Sequence, residues 1–272
     1  MQALKVVRNP GDHRRRRLLA AALGDAGTGS FSIPHAEGSR LLGVGELPGQ
    51  AEAVAAAQVA FQGLGGAREQ TLRSANKRFL VSVLRDGEIL EHPPLLRFIV
   101  SRAVVDAAAR YFGSIPVLST VRLWWTPVND SIESSQLLHR DAEGPTQLKF
   151  FLNVFAVGSD AGPLTYVPAA VSEPAMRRLG YRRGKLTDEA ADDVGVMDHG
   201  VTLIGDAGLG AVVDTSRCLH RGSRGNLEER VILMFQFTPG TCPRGAAPSW
   251  GAGILPYLDE LDPVQRLVLN LE

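Results

Sequence analysis

The spacing of apolar residues changes character near Gly113. Before it the pattern is helical or weak. Roughly the first 45 residues are rich in Gly, Ser and Arg and show little periodicity, so they are expected to wrap a domain rather than form one. Gln50 to Leu64 is Ala-rich, of high helix propensity, and closed by Gly65-Gly66. Lys77 to Leu84 (KRFLVSVL) reads as a strand, Arg85-Asp86-Gly87 as a turn and EILEH as a short return. Pro93 to Phe112 reads as one helix. Two prolines suit its start and Gly113 its end, and Leu95, Leu96, Phe98, Ile99, Ala103 and Val104 fall on one face.

After Gly113 the chain becomes a series of short β-prone runs separated by Gly, Pro, Asn and Asp. They are Val117–Trp125, Leu148–Phe155, Pro163–Pro168, Thr202–Gly205, Gly210–Thr215 and Val231–Pro239. Many short strands without helices between them argue for a sandwich or jelly roll. The expected fold is therefore mainly β with flanking helices around a double-stranded β-helix (jelly roll, cupin-like) core. Ser172 to Asp193 is charged and helix-leaning, an insertion between strands, and Ser172 to Gly200 is the candidate lid. No linker divides the chain, so residues 1–272 are expected to form one domain: a support segment 1–116, a jelly-roll core 117–240 and a tail 241–272. Alternation at Trp124-Trp125 and Phe150-Phe151 turns one residue of each pair into the core. The other tryptophan is then available to line a substrate cavity, with Arg122, Asn129 and Gln136.

Composition narrows the function classes. Hydrophobic residues make up 44% of the 272 and charged residues 21%, enough for a sizeable core. Lys plus Arg and Asp plus Glu are both 29, a balance that gives no support to a nucleic-acid or membrane partner. The run Arg14-Arg15-Arg16-Arg17 is the local exception and reads as a solvated basic segment near a frayed terminus. Cys218 and Cys242 match no zinc spacing, and two isolated thiols suit a reducing compartment. With no apolar leader and no run of the roughly 18 apolar residues that span a bilayer, a soluble cytoplasmic protein is expected.

Three segments carry candidate chemistry. In His139-Arg140-Asp141 an extended backbone points the imidazole and carboxylate to one side, so both can reach one metal ion. Taken alone, the pair is as well explained by a surface turn. His220 follows the strand Gly210–Thr215. Arg230 stands ten residues further on and opens an apolar strand. A guanidinium at that place is costly unless an anion pairs with it, and its fork matches a carboxylate bidentately. The bland reading is a salt bridge to Glu228 or Glu229. Arg221 and Arg224 are rivals, less fixed in aim because they lie in a Gly-rich turn. His199 reads as a surface residue and Cys218 as a buried small hydrophobe.

The order of these residues resembles the phytanoyl-CoA dioxygenase-like family of Fe(II)/2-oxoglutarate-dependent oxygenases. The resemblance runs from about Val121 to Pro239, through LLHRDAEGPTQLKFFLNVFAVGSDAGPLTYVPAA and GDAGLGAVVDTSRCLHRGSRGNLEERVILMFQF. It implies Fe(II) held by His139, Asp141 and His220 as a facial triad, with O2 and 2-oxoglutarate as co-substrates. Arg230 would take the distal carboxylate of 2-oxoglutarate, and Lys149, Thr165, Gln136 and Ser223 would supply polar contacts near it. The implied reaction is hydroxylation of a C–H bond of a small organic substrate, with release of succinate and CO2. Two departures stand out. Pro168-Ala169-Ala170-Val171 replaces the family's Pro-Gly-Ser-His, and Gly222 stands where the family often has Ser, with Ser223 one residue later. The rival readings are a cupin-like metal enzyme that does not use 2-oxoglutarate, in which Arg230 has no required role, and a non-catalytic metal-binding jelly-roll protein.

Overall fold

The computed structural model describes residues 10–26, 31–240, 248 and 250–271. Among them, six strands form the main sheet, in the spatial order β1 (Ser39–Leu42), β7 (Gly210–Asp214), β4 (Leu148–Asn153), β9 (Arg230–Pro239), β3 (Pro116–Thr126) and β2 (Val81–Arg85). Three very short strands form a second sheet, ordered β6 (Val201–Thr202), β5 (Thr165–Tyr166) and β8 (His220–Arg221). Every pairing is antiparallel. A bridge from His139 to His220 adds the metal-motif segment to the edge of the small sheet.

Alternation along the central strands sorts their side chains into two layers. Leu148, Phe150 and Leu152 of β4, Val231, Leu233, Phe235 and Phe237 of β9, and Val121, Leu123 and Trp125 of β3 are buried in the main core. Phe150 and Phe235 stack there at 4.7 Å. Helices α1 (Pro10–Ala26), α2 (Gln50–Gln62), α4 (Pro93–Ile99), α5 (Arg102–Phe112) and α8 (Pro263–Val268) supply the other side of that core, and α3 (Arg68–Ser74) lies at its rim. The opposite face of the same strands presents Lys149, Phe151, Arg230, Ile232, Met234, Arg122 and Trp124 to a cavity between the two sheets. Close approach of strands explains one glycine: a Cβ at Gly210 would stand 2.5 Å from the Phe151 carbonyl oxygen.

Several local expectations change. The helix expected over Pro93–Phe112 is two, because the Ser101 hydroxyl accepts a bond from the Val104 amide and starts a new helix at Arg102. The strand expected over Lys77–Leu84 is confined to Val81–Arg85, and EILEH is 3-10 helical, within Asp86–Glu91, rather than a return strand. The first 45 residues do more than wrap, because β1 within them forms one edge of the main sheet. Nor is Arg16 solvated. It is 2% exposed, and its guanidinium donates to the carbonyls of Pro116 (3.3 Å) and Leu267 (3.2 Å), tying α1 to β3 and α8. The insertion is helical as expected, in two pieces, α6 (Ala169–Arg178) and α7 (Asp188–Asp192). Cys242 lies outside the described residues.

Candidate metal centre

The three candidate ligands converge because two backbone segments pair. His139 N donates to His220 O at 3.0 Å and His220 N to His139 O at 2.8 Å, so the two imidazoles are directly opposed cross-strand neighbours with ring centroids 4.3 Å apart. Asp141, two residues on, is held by its own amide, which donates to Thr215 O at 2.8 Å. The ligand atoms of His139, Asp141 and His220 all lie within 4.8 Å of one another. Each ring is oriented from behind. His139 Nδ1 lies 2.8 Å from Leu137 O and His220 Nδ1 lies 3.1 Å from Cys218 O. A neutral imidazole donating through Nδ1 leaves its Nε2 lone pair free for a metal.

Burial sets the charge states. It pushes His139 down to about 3, with the neighbouring His220 adding to the effect, and it lowers His220 against the pull of Asp141. Both rings are therefore neutral, as metal ligation requires. Burial alone would raise Asp141, but against it stand the Lys149 ammonium and hydrogen bonds from Lys149 and Thr215, and the carboxyl lies below the usual range. Lys149 Nζ is 2.7 Å and Gln147 Nε2 2.9 Å from Asp141 Oδ2. Lys149 thus lines the cavity but is committed to the carboxylate ligand. Two neutral imidazoles and one ionised carboxylate, desolvated and clustered, fit a divalent transition metal.

Arg230 opens β9 and lies against the turn that follows His220. It is 6% exposed, and burial lowers its guanidinium to about 10. Nη2 donates to Ser223 Oγ at 2.7 Å and to Thr126 Oγ1 at 3.4 Å, while Nε and Nη1 have no partner. No carboxylate pairs with it among the described residues. Glu229 is instead occupied by Trp125 Nε1 at 3.0 Å and Arg68 at 3.4 Å, which removes the salt-bridge reading. The rivals are also accounted for, since Arg221 and Arg224 both pair with Asp188 of α7. Ser223 reaches Arg230 because its backbone is left-handed, φ 63°, which turns the hydroxyl back toward β9. Gly222 leaves room beside it, for a Cβ there would stand 3.5 Å from Arg230 Nη1.

The remaining expected residues fall elsewhere. Thr165 bonds Thr202 Oγ1 at 3.1 Å across the small sheet and does not line the cavity. Gln136 is buried outside it, donating to Asn129 Oδ1 at 3.0 Å and to the Ser223 carbonyl, so it braces the Ser223 turn. Asn129 pairs with Asn226 rather than facing the cavity. Trp124 and Arg122 do line it. Cys218 is fully buried with Sγ toward the Glu37 and Gly38 carbonyls, and burial, aided by Asp214, pushes its thiol up to about 12. His199 is exposed. No residue of Ser172–Gly200 lines the cavity, and the wall expected there is built instead from Thr71 to Ser82. Sequence reading missed Thr126 and Gln147. Alternation would have found both, because Arg122, Trp124 and Thr126 share a face, as do Gln147, Lys149 and Phe151.

The cavity encloses about 720 Å³ and holds the three ligands and Arg230 together. No protein-family model and no curated protein matches the sequence. Solved structures match in fold. The non-heme alpha ketoglutarate dependent epimerase SnoN from nogalamycin biosynthesis aligns over 88% of this chain and 91% of its own, at 16% identity and a TM-score of 0.51. EctD from S. alaskensis, with 2-oxoglutarate and 5-hydroxyectoine, aligns over 82% and 76%, at 16% identity and a TM-score of 0.52. The apoform of EctD aligns over 83% and 77%, at 15% identity and a TM-score of 0.52. What this likeness establishes is the fold: a cupin-like jelly roll with flanking helices, in which this chain sets His139, Asp141 and His220 between the sheets.

Proposed function

We propose that this protein is a Fe(II)- and 2-oxoglutarate-dependent oxygenase that hydroxylates a C–H bond of a small organic substrate. The observation that carries the reading is Arg230: a buried guanidinium with two unbonded donors, sharing one cavity with a ready three-ligand metal set. A cupin-like enzyme without 2-oxoglutarate leaves that burial unexplained. The finer likeness to phytanoyl-CoA dioxygenases is part of this proposal and rests on the quoted motif blocks. A cytoplasmic setting is proposed as well, supported by the free buried Cys218.

Bound at this site, Fe(II), 2-oxoglutarate and O2 would supply the oxidation of the substrate C–H bond, with succinate and CO2 as co-products. His139, Asp141 and His220 would hold the metal. Lys149 and Gln147 keep the Asp141 carboxylate ionised and fixed. Arg230 would take the distal carboxylate of 2-oxoglutarate through Nε and Nη1, steadied by Ser223 and Thr126. Burial of both imidazoles, each 6% exposed, keeps protons and bulk water from the ligand set.

The test is anaerobic loading with Fe(II) followed by titration with 2-oxoglutarate. A weak charge-transfer band in the visible, absent in His220→Ala and reduced in Arg230→Ala, is the expected result. Iron binding without the band points to a metal enzyme that does not use 2-oxoglutarate. No iron binding leaves a binding protein on the same fold.

A further inference from the structure

A carboxylate that lines no part of the cavity is buried behind the metal centre. Asp214 closes β7 and is fully buried. Along β7, Ala211 and Val213 face the small sheet and Val212 faces the main core. Alternation turns Asp214 to the core side, opposite Leu148, so it is not itself a ligand. Burying a carboxylate is costly unless donors surround it, and here four do. Oδ2 accepts from Tyr111 Oη of α5 at 2.8 Å and from Thr146 Oγ1 at 2.6 Å. Oδ1 accepts from the amides of Gln147 at 3.2 Å and Ser216 at 3.1 Å. Arg217 Nη1 donates to Tyr111 Oη at 3.0 Å, which leaves the phenol proton for Asp214.

What those bonds fix is the pair of segments that carry the ligands. The Asp214 carbonyl accepts from the Arg217 amide at 2.9 Å and the Cys218 amide at 2.8 Å. With Oδ1 on the Ser216 amide, the carboxylate completes a closed turn over residues 214–218. Three carbonyls of that turn serve the metal motif. Thr215 O accepts from the Asp141 amide at 2.8 Å, Ser216 O accepts from Arg140 Nη1 at 3.3 Å, and Cys218 O lies 3.1 Å from His220 Nδ1. The second segment is the loop from Asp141 back to β4. Thr146 and Gln147 end it, and both bond the Asp214 carboxylate. With its backbone so held, Gln147 aims Nε2 at Asp141 Oδ2 and at Thr215 Oγ1, 2.9 Å each. Its Oε1 accepts from Gln236 Nε2 at 3.3 Å, which sets the orientation of the amide.

We infer that Asp214 is the positioning residue of the metal centre: by closing the 214–218 turn and anchoring Gln147, it sets the Asp141 carboxylate and the His220 ring in one fixed relation. It acts through geometry, with Thr215 O, Cys218 O and Gln147 Nε2 as the transmitting atoms. An anchor of the fold alone would add stability and leave the ligand set equally good in its absence. A positioning residue, once removed, costs metal affinity beyond what the loss of stability explains. The inference rests on the reading that His139, Asp141 and His220 hold a metal ion. The chemistry of the four donors supplies a discriminating substitution. Asparagine keeps its carbonyl for the Gln147 and Ser216 amides, which can only donate, and turns its amide to the Tyr111 and Thr146 hydroxyls, which can also accept. Alanine leaves all four donors without this partner.

Metal-free protein is titrated with Co(II) under argon, without 2-oxoglutarate, and followed by calorimetry and by the visible d–d bands, which report ligand geometry. Asp214→Asn is expected to bind Co(II) within about threefold of wild type and to keep its bands, whereas Asp214→Ala binds about 10- to 100-fold more weakly with altered bands. Should the alanine variant not fold, the double variant Tyr111→Phe/Thr146→Val strips Oδ2 of both its donors and carries the test, with an expected loss of about tenfold. Leu96→Ala, in the main core on α4, controls for lost stability alone and is expected to lower the melting temperature with Co(II) binding unchanged. Wild-type affinity and bands in the alanine or the double variant overturn the inference. So does an asparagine variant as weak as the alanine one, or a Leu96→Ala protein that loses as much affinity for the same fall in melting temperature. Wild-type protein that binds no Co(II) sinks the metal reading and this inference with it. Wild-type binding that the variants leave untouched sinks this inference alone.

Discussion

Replacing Arg230 by methionine separates the cost of its guanidinium from its use. Without co-substrate the charge is buried, with Nε and Nη1 unbonded, and burial lowers it from 12.5 to about 10. At about 1.4 kcal/mol per pH unit, that difference amounts to about 3 kcal/mol by which the buried charge opposes folding. Against it stands one good bond, from Nη2 to Ser223 Oγ at 2.7 Å, which contributes about 1.5 kcal/mol. The Ser223 and Thr126 hydroxyls remain bonded to each other at 3.0 Å after the change. Methionine fills much of the same volume, so the apo variant is expected to be more stable by about 1–2 kcal/mol, a rise in Tm of roughly 2–6 °C. With Mn(II) and 2-oxoglutarate that advantage is offset. Wild-type protein gains about 2.7 kcal/mol when 2-oxoglutarate is present at a hundred times its Kd. The variant gains little, because loss of a desolvated carboxylate partner weakens binding by about 30-fold or more. Calorimetric melting with and without 2-oxoglutarate, under argon, reads both effects. A variant stabilised by 2-oxoglutarate as much as the wild type refutes Arg230 as the carboxylate clamp. One that melts several degrees below wild type without ligand refutes the account of an unsatisfied charge.

The metal ligands make apo stability depend on pH. His139 has a folded value of about 3 against an ordinary 6.5, so the unfolded chain takes up the proton first. Its contribution is intact above pH 6.5 and lost as pH falls toward 3, about 2 kcal/mol of it by pH 5. Urea unfolding at pH 7.5 and pH 5 measures this, and a His139→Gln variant with the same pH slope as wild type would count against it. Ser223→Ala removes the hydroxyl that steadies Arg230 and is expected to lower the apo Tm by roughly 3–6 °C and to weaken 2-oxoglutarate binding about five- to tenfold, read from melting and from the charge-transfer titration. Gly210→Ala places a Cβ 2.5 Å from the Phe151 carbonyl and should destabilise the protein by about 2–3 kcal/mol, through parting of β4 from β7. A Gly210→Ala protein with unchanged urea midpoint contradicts that packing.

What the sequence disclosed and what it withheld divide along a physical line. Strands β3, β4, β7 and β9 were legible as β-prone runs bounded by Gly, Pro, Asn and Asp, whereas the four residues of β1 were not, because they lie in a segment of weak periodicity. That His139, Asp141, His220 and Arg230 would meet in one cavity was legible through the resemblance of their order along the chain to a known family, not through any one of them alone. Lys77 to Leu80 read as strand on propensity, but only Val81 onward meets a partner, so tertiary pairing overrode the local preference. The polar run of arginines concealed Arg16, whose burial depends on three carbonyls about a hundred or more positions away. The break at Ser101 was a capping signal inside an otherwise continuous apolar stripe, and the stripe dominated the reading.

The insertion expected to be a lid has a different job, and the hydrogen bonds say which. The metal centre depends on the register of β8, a strand of two residues, against the His139 segment, and strands this short specify register weakly. A slip of one residue would turn the imidazoles away from each other. The insertion grips each of the two histidines at its chain neighbour. Leu186 N donates to Leu138 O at 2.8 Å, one residue before His139. The Ser172 hydroxyl accepts from Leu219 N at 2.9 Å, one residue before His220. Asp188 holds Arg221, one residue after it. Behind these contacts Leu138, Leu186 and Leu219 pack with Val167, Met176 and Val196 in a small core of their own. Residues 169–199 therefore brace the small sheet from outside, fixing the ligands before any metal arrives. The cavity's own wall is the other segment, Thr71 to Ser82, made of the short α3, the turn after it and the first residues of β2.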